Sequence, residues 1–367
     1  SGFMIDLPHD LASDDYGGDA TRDRATIAQN RAAIAFARET VTALGLPPEA
    51  FQESGKINGA ATPKGNAHNA DYQRHLSSIG EASEMLDAAA MQKVTGTDYY
   101  TGGLFTPGTV VLKPALYIRT LAQGILSNTL SIYENSPVTA LAQHGSDWQA
   151  KTPKGCVTAP RVILATNGHA QSFGFFPQRL AHVYTYASMT RALTSDECKN
   201  LGGHPNWGLT PADPLGATVR RISGTGGNRI VIRSRFTYEP KMRVDPAKLA
   251  GIWATHDSGF AARFPMLGGV TMEHRWGGHL CLSLNNVAAF GEVETNLFAA
   301  CCQNGLGTVK GTLHGMLAAD LALEESHDIL RNVLGQPQPK RLPPAPIATL
   351  GARAKIFWGE RTAGREI

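Results

Sequence analysis

Apolar residues recur at helical spacing between Thr21 and Gly45, where Ile27, Ala28, Ile34, Ala35, Val41 and Leu44 share a side. Gly45 and the following Pro47-Pro48 stop the run, so a helix is predicted there. Lys56-Ile57-Asn58-Gly59-Ala60 reads as a short strand, and Ala70 to Gln92 as one or two helices. Tyr99 to Val111 is punctuated by Gly102, Gly103, Pro107 and Gly108. It leads into a helix from Pro114 to about Leu126, with proline in the first turn, where its missing N–H costs nothing.

After Leu126 the period shortens towards two. Ser131-Ile132-Tyr133-Glu134 reads as a strand, and Val138 to Leu141, Trp148 to Thr152 and Gly155 to Ala159 as a meander. Arg161 to Thr166 is a continuous apolar run of the fully buried kind, ending in Asn167-Gly168-His169. Strands are expected to dominate from about 180 to 285, including Val183 to Thr190, Ala217 to Ile222 and Arg229 to Phe236. The last follows a turn at Gly224 to Asn228. Gly305-Leu306-Gly307 opens a helix running from Val309 to about Glu325, with no buried strand expected before it. The proline-rich tail after Gly335 reads as an extended excursion over the surface.

This order predicts an α/β plus α+β fold of two interleaved domains. A truncated Rossmann-like domain would comprise residues 1–52, 106–176 and 278–335. A mixed antiparallel-sheet domain would comprise 53–105 and 177–277, leaving 336–367 as a C-terminal excursion.

Composition narrows the class. Hydrophobic content of 42% and charged content of 18% are those of a globular chain able to bury a sizeable core. A formal charge of +3 without a dense basic stripe argues against nucleic acid as a partner. No apolar run approaches the ~20 residues of a membrane span. The first residues lack the charged and apolar regions of a signal peptide. Five cysteines form no CxxC pair and no zinc spacing, so no metal is expected. Reduced thiols point to the cytoplasm, and Cys301-Cys302 reads as buried packing. The Ser-Gly start without an initiator Met is read as the interior of a longer polypeptide.

Four ordered segments carry a resemblance: Ser1-Gly2-Phe3; Thr101 to Leu121; Val162 to Gly168; and Arg275-Trp276-Gly277-Gly278 followed by Asn304-Gly305-Leu306-Gly307 and its helix. Together they resemble the D-amino-acid-oxidase-like family of FAD-dependent oxidoreductases, of the glycine oxidase, sarcosine oxidase and gamma-glutamylputrescine oxidoreductase type. That family's opening strand–GxGxxG–helix unit, with its acidic residue ~20 positions on, finds no counterpart here. The resemblance therefore implies a further N-terminal segment, or another subunit, that grips the FAD pyrophosphate.

The resemblance implies an FAD site drawn from Ser1, Gly2, Val138, Thr166, Asn167, Gly168, Trp276, Asn304, Gly305, Leu306, Gly307 and Thr308. A helix start at Gly307 would present unpaired N–H groups and partial positive charge to the flavin edge that gains negative charge. Packing readings stand beside these: a tight helix–sheet turn at 305–307, a strand-end turn at 166–168 and a core residue at Val138. His9 is a candidate base, although a lone histidine more often serves structure and the chemistry requires none. Cys281 lies where some relatives tether flavin, but Leu282-Ser283-Leu284 beside it does not match.

Substrate contacts are expected from Tyr184, Tyr186, Arg233, Arg235, Tyr238 and Arg275, because a guanidinium holds a carboxylate bidentately. Alternation would put Arg233 and Arg235 on one face, as a cationic pocket wall or a solvated surface. The implied activity is oxidation of the C–N bond of a small amine, imino acid or amino acid by hydride transfer to flavin N5. Oxygen is the implied acceptor, with imine hydrolysis and hydrogen peroxide following. A dehydrogenase passing electrons to a partner, and a non-catalytic scaffold of the same fold, remain open alternatives.

Overall fold

The computed structural model describes residues 2–8 and 19–367. Phe3–Met4 forms the short strand β1. Asp19 then accepts the N–H groups of Thr21 at 2.9 Å and Arg22 at 3.3 Å and starts α1, Ala20–Ala43. Gly45, at positive φ, ends it. Next come β2 (Phe51–Gln52) and β3 (Lys56–Ala60). The Thr62 hydroxyl caps α2, Pro63–Ser78, by accepting the Gly65 N–H at 3.0 Å. The expected helical stretch over 70–92 is interrupted: Gly80 takes positive φ, and β4 (Glu84–Asp87) precedes α3 (Ala88–Thr95). β5 (Gly102–Thr106), β6 (Val110–Leu112) and α4 (Pro114–Ile125) follow.

The strand expected at Ser131 to Glu134 does not form, and Val138 lies in an exposed irregular stretch rather than in a strand. Asn135 at positive φ and Pro137 deny this segment a regular ladder. The meander does form, as β7 (Ala140–His144), β8 (Asp147–Thr152) and β9 (Gly155–Ala159). β10 is Val162–Leu164, and β11 is Ala181–Thr190. Between 190 and 285 lie α5 (Ser195–Leu201), β12 (Trp207–Pro211), β13 (Thr218–Ile222), β14 (Arg229–Tyr238), α6 (Leu249–Arg263) and β15 (Met272–Leu282).

Two expectations fail towards the C-terminus. A strand does precede the Gly-rich helix start: β16 (Ala289–Glu294) turns into β17 (Leu297–Cys301), every residue of which is buried. The tail after Gly335 is not extended throughout. After α7 (Gly307–Ala322) and α8 (Asp328–Leu334), the prolines lead into α9, Ala345–Ala363, where Pro346 occupies the first turn that tolerates it.

An eight-stranded sheet organises the molecule, in the order β15-β11-β14-β13-β12-β3-β5-β4, antiparallel except where β12 runs beside β3. Smaller sheets are β1-β6-β2, β10-β17-β16 and β7-β8-β9, with β10 parallel to β17. Side chains alternate across the large sheet. One face sends Ile57, Leu209, Val219 and Ile232 into a core with Phe260 and Phe264 around α6; we term it the packed face. The other, the open face, faces β1. Phe3 lies against Gly208, where an added Cβ would approach its ring to 2.5 Å. β1 in turn joins a second core with α1 and α7 through Phe3, Met4, Ile34, Leu313 and Leu317.

Candidate active site

Strand pairing brings Lys56, Asn58, Thr106, Thr210, Thr218, Arg220 and Arg233 onto the open face from five different strands. Lys56 is buried, and its ammonium donates to Asn58 Oδ1 and, at 3.2 Å, to Thr210 Oγ1. Both partners are neutral, and burial pushes Lys56 down to about 8, with the charge of Asp6 opposing the shift. Arg220 lies over the Phe3 ring at 5.3 Å, and burial lowers it to about 10. Arg233 is likewise lowered to about 10 by burial; its guanidinium sits 5.3 Å from the Phe236 ring. Neither Lys56 nor Arg233 makes an ion pair among the described residues. Beside these cations, the hydroxyls of Thr106, Thr185 and Thr218 are buried with no hydrogen-bond partner among the described residues. Buried polar atoms are nearly always satisfied, so three on one face mark a surface that a polar ligand completes.

Across from this face stands the start of α7. Its N-cap, Leu306, supplies no side-chain cap, and a Cβ at Gly307 would meet nothing within 4 Å. The Thr308 hydroxyl donates to the Phe3 carbonyl, tying the helix to β1. Gly2 sits at positive φ where a side chain would strike Arg220 and the Leu112 carbonyl. The first and fourth sequence segments thus meet at the open face. An uncapped helix start with free space before it fits the electron-rich edge of a flavin. Gly2, Gly307 and Thr308 are the residues that would lie against it.

The remaining candidates divide. Ser1 and His9 lie outside the described residues. Gly168 is close-packed against two histidines: a Cβ there would come within 2.8 Å of His182 and His279. Those two imidazoles share a 3.0 Å contact, and burial pushes His182 down to about 4. The Thr166-Asn167-Gly168 turn is joined to the helix start, because Asn167 Oδ1 accepts the Cys302 N–H at 3.2 Å. The Asn304 side chain accepts from Ser283 N at 2.8 Å and donates to Val287 O at 3.0 Å, so its amide holds the neighbouring loop. Gly305 supplies the positive φ of that turn. Trp276 is exposed at the sheet edge, and Cys281 is buried beside Cys302, with its thiol pushed up.

Among the proposed substrate residues, Arg233 and Tyr238 face the open side. Arg235 does not share that face: it sits at φ 61° in a bulge that breaks the alternation, and its guanidinium pairs with Glu360 at 2.8 Å. Arg275 pairs with Asp257 of α6 at 2.8 Å. The Tyr186 ring packs on Trp253 with its hydroxyl 2.7 Å from Thr237, and Tyr184 donates to the Met242 carbonyl. Sequence reading missed Lys56, Thr106, Thr185, Thr218 and Arg220. The available signal was a lysine inside a strand whose neighbours are small or apolar.

Known proteins share the family and the fold. The model of the family described as FAD dependent oxidoreductase matches residues 9–321. Gamma-glutamylputrescine oxidoreductase of Escherichia coli is 28% identical over 274 residues, which cover 73% of this chain and 62% of that protein. The probable oxidoreductase OrdL of Haemophilus influenzae is 24% identical over 65% of this chain and 54% of its own length. The chain therefore spans somewhat over half the length of the curated relatives it matches. Glycine oxidase from Geobacillus kaustophilus superposes with a TM-score of 0.70 at 19% identity, over 93% of this chain and 87% of that one. Iminodiacetate oxidase from Chelativorans sp. BNC1 gives 0.69 at 13% identity, over 92% and 89%. These superpositions establish the fold. The family model extends over most of the sequence, and the chain belongs to the FAD dependent oxidoreductase family.

Proposed function

We propose that the protein oxidises the C–N bond of a small amino or imino acid, binding its carboxylate on the open face. The observation that carries this is the pair of desolvated cations without an ion pair among the described residues, Lys56 and Arg233, beside three threonine hydroxyls that have no partner there. A buried guanidinium without an anion is costly, and a substrate carboxylate is the anion that removes the cost. The similarity to enzymes named for glycine, iminodiacetate and gamma-glutamylputrescine supports an amine-nitrogen substrate.

FAD, when bound, supplies the acceptor for the hydride that leaves the carbon next to nitrogen. The chain's own work is orientation and electrostatics. Arg233 and Arg220 fix the carboxylate, and Thr218 and Thr185 donate to it or to the amine. The first turn of α7 favours negative charge developing across from them. Lys56, near 8, holds a proton at Nζ that it can exchange at mildly alkaline pH. We further propose residues 53–105 and 177–277 as the substrate domain, oxygen as the electron acceptor and the cytoplasm as the location.

Steady-state turnover of small amino acids, imino acids and their decarboxylated amines by the FAD-loaded protein tests the reading. A preference for the carboxylated member of about tenfold or more in kcat/KM is expected. Equal turnover of acid and amine overturns it. Peroxide released in air identifies oxygen as acceptor; reduction of a dye without peroxide favours the dehydrogenase.

A further inference from the structure

The helix α9 is anchored from one side and unpartnered on the other. On its inner side, Glu360 accepts the Phe236 N–H at 3.1 Å and pairs with Arg235. Just beyond, the buried Glu366 accepts the Ala61 N–H at 2.8 Å, and Arg263 donates to the carbonyls of Glu366 and Ile367. The outer side carries Ile347, Leu350, Phe357 and Trp358, which are 63%, 73%, 60% and 62% exposed. With Ala354 they occupy an arc of about 100° on the helical wheel at 3.6 residues per turn. Arg353 flanks this arc on one side and Lys355 on the other, while Arg361 lies at its C-terminal end.

Charge on this surface has one sign. Residues 336–367 contain six exposed cations, of which Arg353, Lys355 and Arg361 border the stripe and Arg365 lies over the Tyr99 ring. The only two acids in the stretch, Glu360 and Glu366, are turned inward into the contacts just described. An apolar stripe rimmed by cations, with a Phe-Trp pair, is the pattern of a helix lying in a lipid headgroup layer. We propose that α9 docks the protein on an anionic lipid surface. A second copy of the chain fits this face poorly. A two-fold contact would set one cation-rimmed stripe against another of the same sign. The surface is also a single convex helix rather than a groove. No helix among the described residues is long and apolar enough to cross a membrane, so the contact is one of lying on the bilayer.

Co-sedimentation with phosphatidylcholine vesicles, with and without about one third phosphatidylserine, tests the proposal. Binding to the anionic vesicles alone, weakened at about 0.5 M salt, is expected. Trp358→Glu, and separately Arg353→Glu with Lys355→Glu, should each lower partitioning by about tenfold or more. Turnover of a soluble substrate should stay unchanged in both variants and reports that they fold. Failure of the native protein to sediment with anionic vesicles overturns the proposal, as does equal binding to neutral ones. A dimer in light scattering that Trp358→Glu dissociates, without vesicle binding, assigns the face to a second copy instead.

Discussion

The two faces of the eight-stranded sheet are built from the same strands and end in opposite states. On the packed face, Arg275 has Asp257, Ser188 meets His256 at 2.7 Å and Tyr186 meets Thr237, while Trp207 Nε1 and His256 Nε2 have no partner among the described residues. On the open face, Thr106, Thr185 and Thr218 have none among the described residues, and Lys56 is held there by Asn58 and Thr210. An unmade hydrogen bond on a buried group costs ~1–3 kcal/mol. Unmade bonds occur on both faces, but only the open face sets its own beside buried cations, Lys56 and Arg233, that have no ion pair among the described residues, and that combination suits an anionic ligand. The bulge at Arg235 marks the boundary, since it withdraws one arginine from the open face and leaves Arg233 there.

Removing that remaining arginine should have the largest effect. Arg233→Ala is expected to lower kcat/KM for a carboxylated substrate by about 10²–10³-fold, roughly 3–4 kcal/mol, and to leave the decarboxylated amine nearly unaffected. Arg233→Lys should raise KM more than it slows turnover, because a point charge cannot make the bidentate contact. Parallel losses for acid and amine in both variants would assign Arg233 to structure.

The faces should also respond to opposite ends of the pH scale. Lys56 is lowered to about 8, so between pH 8 and 10.5 the unfolded chain binds the extra proton and stability rises with pH. Lys56→Met should abolish that rise, worth roughly 3 kcal/mol at most. His256, against the packed face, is lowered by burial to about 4. Below pH 6.5 the unfolded chain protonates first, so stability falls as pH drops towards 4, by roughly 2 kcal/mol at pH 5. Urea unfolding at pH 5, 7 and 9.5 measures both slopes. His256→Gln should flatten only the acid limb, and only in part, with His182, His279 and His314 contributing the remainder. An alkaline limb unchanged in Lys56→Met would mean that the lysine is solvated.

Much of the fold was legible because its signals are local. The spacing of Ile27, Ile34 and Val41, the Pro114 helix start and the turn at Gly224 to Asn228 all concern neighbours in sequence. β17 was missed because Leu297-Phe298-Ala299-Ala300-Cys301 is buried on both faces, so no alternation marks it. α6 was missed because its apolar and polar positions are mixed around the helix. The site was legible at its glycines, at Thr308 and at Arg233 and Tyr238. Gly2 and Gly307 announce close approach through composition, whereas Lys56, Thr106 and Arg220 matter because β3, β5 and β13 become parts of one sheet. That register is a long-range property. It also decides why Arg233 and Arg235, two positions apart, meet different partners.

The opposite wall of the site can be tested independently of the cations. Gly307→Val would put a side chain into the free space before α7, and about a tenfold weaker retention of FAD is expected. Gly315→Ala, in the same helix and also open to space, should leave retention unchanged. Flavin released on dialysis, followed by absorbance, is the readout. Equal retention in both variants would make the 305–307 turn a packing element only.

The smallest effect is expected where the sequence alone suggested a large one. Arg275 carries the same charge as Arg233 and lies one strand further along the sheet than β11, yet its guanidinium is spent on Asp257 Oδ1 and Oδ2 at 2.8 and 2.9 Å. The carboxylate of that pair is half exposed, so solvent screens the interaction and its worth is about 0.2–1 kcal/mol. The guanidinium also sits 5.8 Å from the Trp253 ring, a contact of similar size. Arg275→Ala should therefore shift the unfolding midpoint slightly and leave both kcat/KM and the acid-over-amine preference where they were. A double-mutant cycle with Asp257→Asn sharpens the point, because the two changes should couple to each other and not to Arg233→Ala. If Arg275→Ala instead erased the preference for the carboxylate, the working side of the sheet would be the packed face, and the division between the two faces would have to be redrawn.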